Sequence, residues 1–113
     1  MKILEASFLI PVSEDRDVGN GMLHPSERWD QFRDRLIEEF GGYTIAPGYY
    51  LGCYTDPDTQ TLVSDRSRKY ILALPENEAP ALRVFLRKEA VIFRQKVVYL
   101  EIGGKVEFIS LSD

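Results

Sequence analysis

Apolar and polar positions alternate along this chain in blocks that predict strands and helices in a regular order. Residues 3–12 (ILEASFLIPV) place Leu4, Ala6, Phe8 and Ile10 on one side of a strand, and Ile3, Glu5, Ser7 and Leu9 on the other. Pro11 limits its ladder to the residues before it. Ser13 to Pro25 is polar, with Gly19-Asn20-Gly21 in its middle, and is long against a median loop of roughly 4–6 residues. Loops of that length are often functional or mobile.

The spacing then changes from two to three and four. Trp29, Phe32, Leu36 and Phe40 share one face of a helix that Ser26 would cap, with Ile37 beside them and Arg28, Asp34, Arg35, Glu38 and Glu39 toward solvent. Gly41-Gly42 supplies the left-handed stop. Residues 43–55 and 61–74 read as two strands around the turn Asp56-Pro57-Asp58-Thr59-Gln60. Pro47-Gly48 bends the first, and the charged run Asp65-Arg66-Ser67-Arg68-Lys69 interrupts the second. A second helix starts near Pro80 and carries Leu82, Phe85, Leu86, Ala90 and Phe93 on one stripe. Residues 96–102 and 105–111 form a hairpin across Gly103-Gly104.

The order β-α-β-β-α-β plus one hairpin strand predicts a single α+β domain over residues 1–113, of the ferredoxin-like split βαβ type. Both helices then cover one face of an antiparallel sheet. The other face should be polar if water wets it. It is not, because Val97 and Tyr99 stand opposite Val98 and Leu100, and Tyr49 and Leu51 opposite Tyr50 and Tyr54, so both sets are rich in apolar groups. Such a face predicts a homodimer, a small-molecule cleft or a protein partner.

Charge narrows the partners. Fourteen Lys and Arg against eighteen Asp and Glu give a net charge of −4, which argues against a phosphate backbone as ligand. The basic-Gly-aromatic signature of an RNA-recognition sheet is absent. No run reaches the roughly 20 apolar residues of a membrane span, and Glu5 breaks any signal-peptide core, so a cytoplasmic protein is expected. The lone Cys53 has no disulfide partner, and its strand setting reads as a buried, inert thiol. No metal site or cofactor is predicted, since Glu14, Asp15 and Asp17 lack the spacing of a calcium loop.

The candidate chemistry is sparse. His24, the only histidine, could act as acid or base or could simply sit at the helix entry. Asp65, Arg66, Arg68, Lys69 and Tyr70 could form an anion site with Asp65 and Tyr70 as catalytic groups, or a charged edge that discourages strand pairing. Thr44, Tyr70 and Gln95 could line a small pocket; otherwise Thr44 satisfies the end of the first helix and Gln95 caps the second. Tyr50, Tyr54 and Tyr99 are the aromatic candidates for a ligand or interface face.

Three blocks recur together. They are Trp29-x-x-Phe32 running into Phe40-Gly41-Gly42-Tyr43-Thr44, then Gly48-Tyr49-Tyr50 followed by Asp65 and Tyr70, and lastly Phe93-Arg94-Gln95-Lys96-Val97-Val98. In this order they resemble small bacterial α+β proteins of unknown function, over roughly residues 8–109. The resemblance implies a compact α+β domain and carries over no catalytic residue. The first functional reading is therefore a non-enzymatic binding or self-associating module using the open sheet face. The alternative is a small dimeric ferredoxin-like enzyme, an isomerase, lyase or monooxygenase, with a cleft around His24, Asp65 and Tyr70.

Overall fold

The apolar alternation near the start of the chain becomes β1 (Ile3–Pro11), the centre of the sheet. The structure is a computed structural model and describes residues 1–111. On one side β1 pairs antiparallel with β4 (Leu62–Pro75), and on the other with β5 (Val97–Ile102). β6 (Lys105–Ser110) continues the sheet from β5 through Gly103-Gly104, whose φ values of 57° and 82° are those a primed turn demands. Two short strands share the outer edge of β4: β2 (Thr44–Ile45) and β3 (Tyr50–Thr55). The bend expected at Pro47-Gly48 separates them.

The resulting order is the ferredoxin-like arrangement with one added edge strand. α1 (Ser26–Phe40) and α2 (Ala79–Ile92) cover one face. Register shows why that face is dry. Phe8 lies opposite Tyr70 and Leu100, while Ala6 lies opposite Leu72 and Ile102, so one apolar layer runs across three strands. Phe8 stacks on Tyr70 at 5.6 Å, and Phe32 of α1 meets Tyr70 edge-on at 5.1 Å and Phe93 at 5.4 Å. Each such pair adds about 0.5–1.5 kcal/mol beyond the area it buries. Arg35 was expected in solvent. Instead its guanidinium grips buried Glu89 of α2 in a two-pronged bond of 2.8 and 2.7 Å, joining the helices.

Several local expectations change. Pro25 occupies the cap position of α1 with an extended backbone, so Ser26 is already helical and its hydroxyl makes no capping bond. Gly41 does end the helix, at φ 84°. Thr44 does not serve that helix end; it pairs with Ile71 in the sheet and is exposed. The charged run does not interrupt β4 either. Alternation sends Arg66, Arg68 and Tyr70 to one face and Asp65, Ser67 and Lys69 to the other, and the strand passes through unbroken.

That continuity has a geometric result. β1 pairs with β4 only as far as Pro11 opposite Ser67, and the Val12 amide adds one bond to the Arg66 carbonyl (2.8 Å), so residues 62–65 are held by β3 alone. The β3–β4 hairpin thus projects past the end of β1, beside the long loop that leaves it. On the face away from the helices, Phe108 is 63% exposed and Val106 49%, so the second face is as apolar as its pattern implied.

A cleft between the long loop and the projecting hairpin as candidate functional site

The loop after β1 is built around one carboxylate. Glu14 accepts an ion-paired hydrogen bond from Arg28 (2.9 Å) and a second from the Asn20 amide (2.9 Å), and these bonds, the first above all, hold its carboxyl below the usual range. Gly19 is needed here, because a Cβ would lie 2.3 Å from Oε1 of Glu14. Asp15 folds the next turn by accepting from the Asp17 amide, and the backbone of Ser13 bridges to Leu23. Gln95 fixes the base of the loop: its Nε2 donates to the Ser13 and Phe93 carbonyls, both at 2.8 Å. It therefore does finish α2, as its helix-capping reading held, and it anchors the loop as well.

The hairpin turn is held from the other direction. Asp56 accepts from the amides of Asp58 (2.8 Å) and Thr59 (3.3 Å), which lowers its carboxyl. Lys96, at the entry to β5, then meets Asp17 of the loop, Asp56 at 3.5 Å and Asp58 at 3.6 Å. The hydrogen bond to Asp17, followed by the surrounding acids, raises its ammonium. One cation thus ties the tips of loop and hairpin together.

Between these two walls lies a cleft of about 1070 Å³. Its lining includes Asp15, Tyr54, Asp65, Arg66 and Gln95. Tyr54 and Asp65 stand on the same face of the hairpin, diagonal to each other across its ladder. Asp65 has no hydrogen-bond partner among the described residues, and burial pushes its carboxyl up. Burial, with Asp15, Asp65 and Asp56 behind it, raises the Tyr54 phenol, so that hydroxyl keeps its proton and remains a donor. The pair is an unsatisfied carboxylate beside an aromatic ring with a polar tip. Such a pair attracts a cation or accepts a proton.

The other candidates are placed elsewhere. His24 is buried between Trp29 (5.5 Å) and Phe93 (4.8 Å), and both ring nitrogens are used. Nε2 lies 2.9 Å from the Pro11 carbonyl, which can only accept, and Nδ1 lies 3.0 Å from an Arg28 nitrogen, which can only donate. The ring is therefore neutral with its proton on Nε2. Burial lowers its pKa further. It packs the helix entry and does not line the cleft.

Tyr70 is wholly buried in the core. Among the described residues its hydroxyl makes no hydrogen bond of normal geometry; burial raises its pKa, and the Arg68 guanidinium, near enough to favour the phenolate, only partly offsets that. Thr44, Tyr70 and Gln95 therefore share no pocket: Thr44 borders a shallow depression of about 330 Å³ with Glu5 and Ile71, and Gln95 lines the large cleft. The cleft forms around Asp65 and Tyr54 rather than around His24, Asp65 and Tyr70. Tyr50 and Tyr99 lie on the open face, the first under the Lys69 ammonium at 5.2 Å and the second edge-on to Phe108 at 5.8 Å. Cys53 is exposed on the projecting hairpin, not buried. Among the described residues no group of three or more His, Cys, Asp or Glu could hold a metal ion. No helix there is long and apolar enough to cross a membrane.

Two features were missed by the sequence. Lys96 stood only at an unspecified position of its block, and Gly52 acquires meaning only when register puts it opposite Asp65.

Two solved structures share this fold. A phage SAM lyase in complex with S-methyl-5'-thioadenosine superposes with a TM-score of 0.69 at 18% identity, covering 96% of this chain and 89% of that one. A phage SAM lyase in the apo state gives a TM-score of 0.63 at 14% identity, over 95% of this chain and 88% of that one. At such identities the likeness establishes the fold. No family model and no curated protein sequence matches the chain.

Proposed function

We propose that this chain is a small lyase acting on an adenosyl sulfonium, S-adenosylmethionine, in the cleft around Asp65 and Tyr54. The observation that carries this reading is the unpartnered Asp65 carboxyl beside Tyr54, in a cleft large enough for a nucleoside. The shared fold with a lyase bound to S-methyl-5'-thioadenosine supports the choice of ligand.

A sulfonium is a fixed positive charge with no proton to donate, so it cannot be held by an ordinary hydrogen bond from sulfur. Carboxylates and aromatic faces hold it instead, and Asp65 with Tyr54 supplies both. In the reaction a carbon–sulfur bond breaks with its electron pair returning to sulfur, which leaves as the neutral thioether S-methyl-5'-thioadenosine. The amino-acid fragment discharges by closing on its own carboxylate or by losing a proton, so no second reactant is consumed. Asp65 positions the sulfonium and can accept that proton; Tyr54 donates a hydrogen bond along the cleft wall.

The test is direct. Purified protein is incubated with S-adenosylmethionine, and S-methyl-5'-thioadenosine is followed by liquid chromatography and mass spectrometry. Release above the spontaneous rate that disappears in Asp65→Asn supports the reading. No release, or release that Asp65→Asn leaves intact, overturns it.

The exposed apolar groups Phe108, Val106, Val97 and Tyr50 favour a second reading of the open face as a homodimer contact. It is compatible with catalysis in the cleft. Sedimentation at micromolar concentration showing only monomer would remove it.

A further inference from the structure

Resting on the sulfonium-lyase reading, we infer that Arg66 is the anchor for the substrate's carboxylate and so sets the cleft's preference for an amino-acid-bearing ligand. The argument begins with the cations available to the cleft. Lys96 is spent on Asp17, Asp56 and Asp58. Arg16 and Arg66 line the cleft, and among the described residues neither makes an ion pair. They differ in how they are held. Arg16 lies in the loop with its stem over Gly21, where a Cβ would come 2.9 Å from its Cγ. Arg66 springs from β4, in the part backed by β3, and its guanidinium sits 5.6 Å from the centre of the Tyr49 ring.

A guanidinium drawn to an aromatic face keeps its N–H groups free to take a carboxylate in two-pronged fashion. Arg66 is the residue after Asp65, so the pleat sends the two side chains to opposite sides of one strand, and both border the cleft. That divides opposite charges between two places. β4 has no neighbour on its β1 side before Arg66, so a ligand laid over that free edge, with its sulfonium and carboxylate a few bonds apart, meets one charge from each face. An adenosyl thioether has neither charge and makes no demand on Arg66.

The experiment uses this difference. Arg66→Gln and wild type are compared for turnover of S-adenosylmethionine, for turnover of its decarboxylated analogue, and for binding of S-methyl-5'-thioadenosine by calorimetry. Losing a charged two-pronged bond should raise KM for S-adenosylmethionine about ten- to a hundredfold. Binding of the thioether and KM for the decarboxylated analogue should stay within about twofold, and Arg66→Lys should recover only part of the loss.

Equal losses for all three ligands would mean that Arg66 holds the nucleoside or the fold, and would overturn the inference. An unchanged KM in Arg66→Gln would overturn it too, as would the selective loss appearing in Arg16→Gln instead. Failure of the lyase reading itself looks different: wild type would neither bind the thioether nor release it from S-adenosylmethionine, and the inference would fall with it.

Discussion

Gly52 and Asp65 face each other across the β3–β4 ladder, and the Asp65 carboxyl occupies the space that a side chain at position 52 would need. A Cβ there would come within 2.6 Å of Oδ1. The conflicting atom is the end of a flexible side chain, so the strand need not move. Gly52→Ala is expected to leave the melting temperature within about 2 °C of wild type, a change well under 1 kcal/mol, while displacing the carboxyl and lowering turnover at least tenfold. Calorimetry and turnover on one preparation check both halves. A large fall in melting temperature would show that the glycine serves the strand instead.

Asp65 also predicts a stability profile. Burial raises its carboxyl, so the folded protein binds this proton more readily than the unfolded chain does. The ionised form therefore costs stability, in full above the folded pKa, and the cost vanishes below the unfolded value of about 3.9. Asp65→Asn should melt at or above wild type at neutral pH, and the two curves should converge in acid. A variant that melts below wild type at neutral pH would contradict the assignment of Asp65 as unpartnered.

His24 carries the opposite sign. Its pKa is lowered, chiefly by burial, so the unfolded chain binds the extra proton. Its contribution is whole above about 6.5 and is lost as pH falls from there through the folded pKa. His24→Leu should cost about 1–3 kcal/mol at neutral pH by orphaning the Pro11 carbonyl and an Arg28 donor, and should flatten that acid limb. Activity per folded molecule should survive. Its disappearance would restore the histidine to the chemistry.

Tyr70→Phe tests the buried hydroxyl. With no hydrogen bond of normal geometry at the oxygen among the described residues, removing it should be neutral or stabilising within about 0.5 kcal/mol. Denaturant unfolding measures this, and a loss above about 1 kcal/mol would reveal a bond that the hydroxyl makes in solution.

Lys96→Met should separate the walls of the cleft. Hydrogen exchange is expected to speed up in residues 14–20 and 56–60 with little change in β1, which the clamp does not touch. Uniform acceleration would mean that Lys96 supports the whole fold.

How far these features could be read from the chain differs by element. Phe8, Phe32, Leu36, Leu82 and Leu86 announced their burial through period alone, because side chains two, three or four apart share a face whatever the rest of the molecule does. The hairpin turn at Gly103-Gly104 was legible for a similarly local reason. Arg35 with Glu89 was not, since the partners are 54 residues apart and only helix packing brings them together. The cleft was legible in part. Asp65 and Tyr54 were candidates by residue type, but the run around Asp65 read as an interruption because its charges hid its alternation. Tyr70 looked polar by composition, and a core layer set by register took its ring inside.

The overhang of β4 past the end of β1 has a consequence for how such a protein can change. Residues 62–66 and the loop from Ser13 to Pro25 wall the cleft while standing beyond the β1–β4 ladder. Each doubling of a surface loop costs only about 0.6 kcal/mol in closure entropy. Both walls can therefore be lengthened, shortened or exchanged for those of another chain while the sheet beneath goes on folding. The ligand a chain of this shape accepts is free to drift faster than the shape itself.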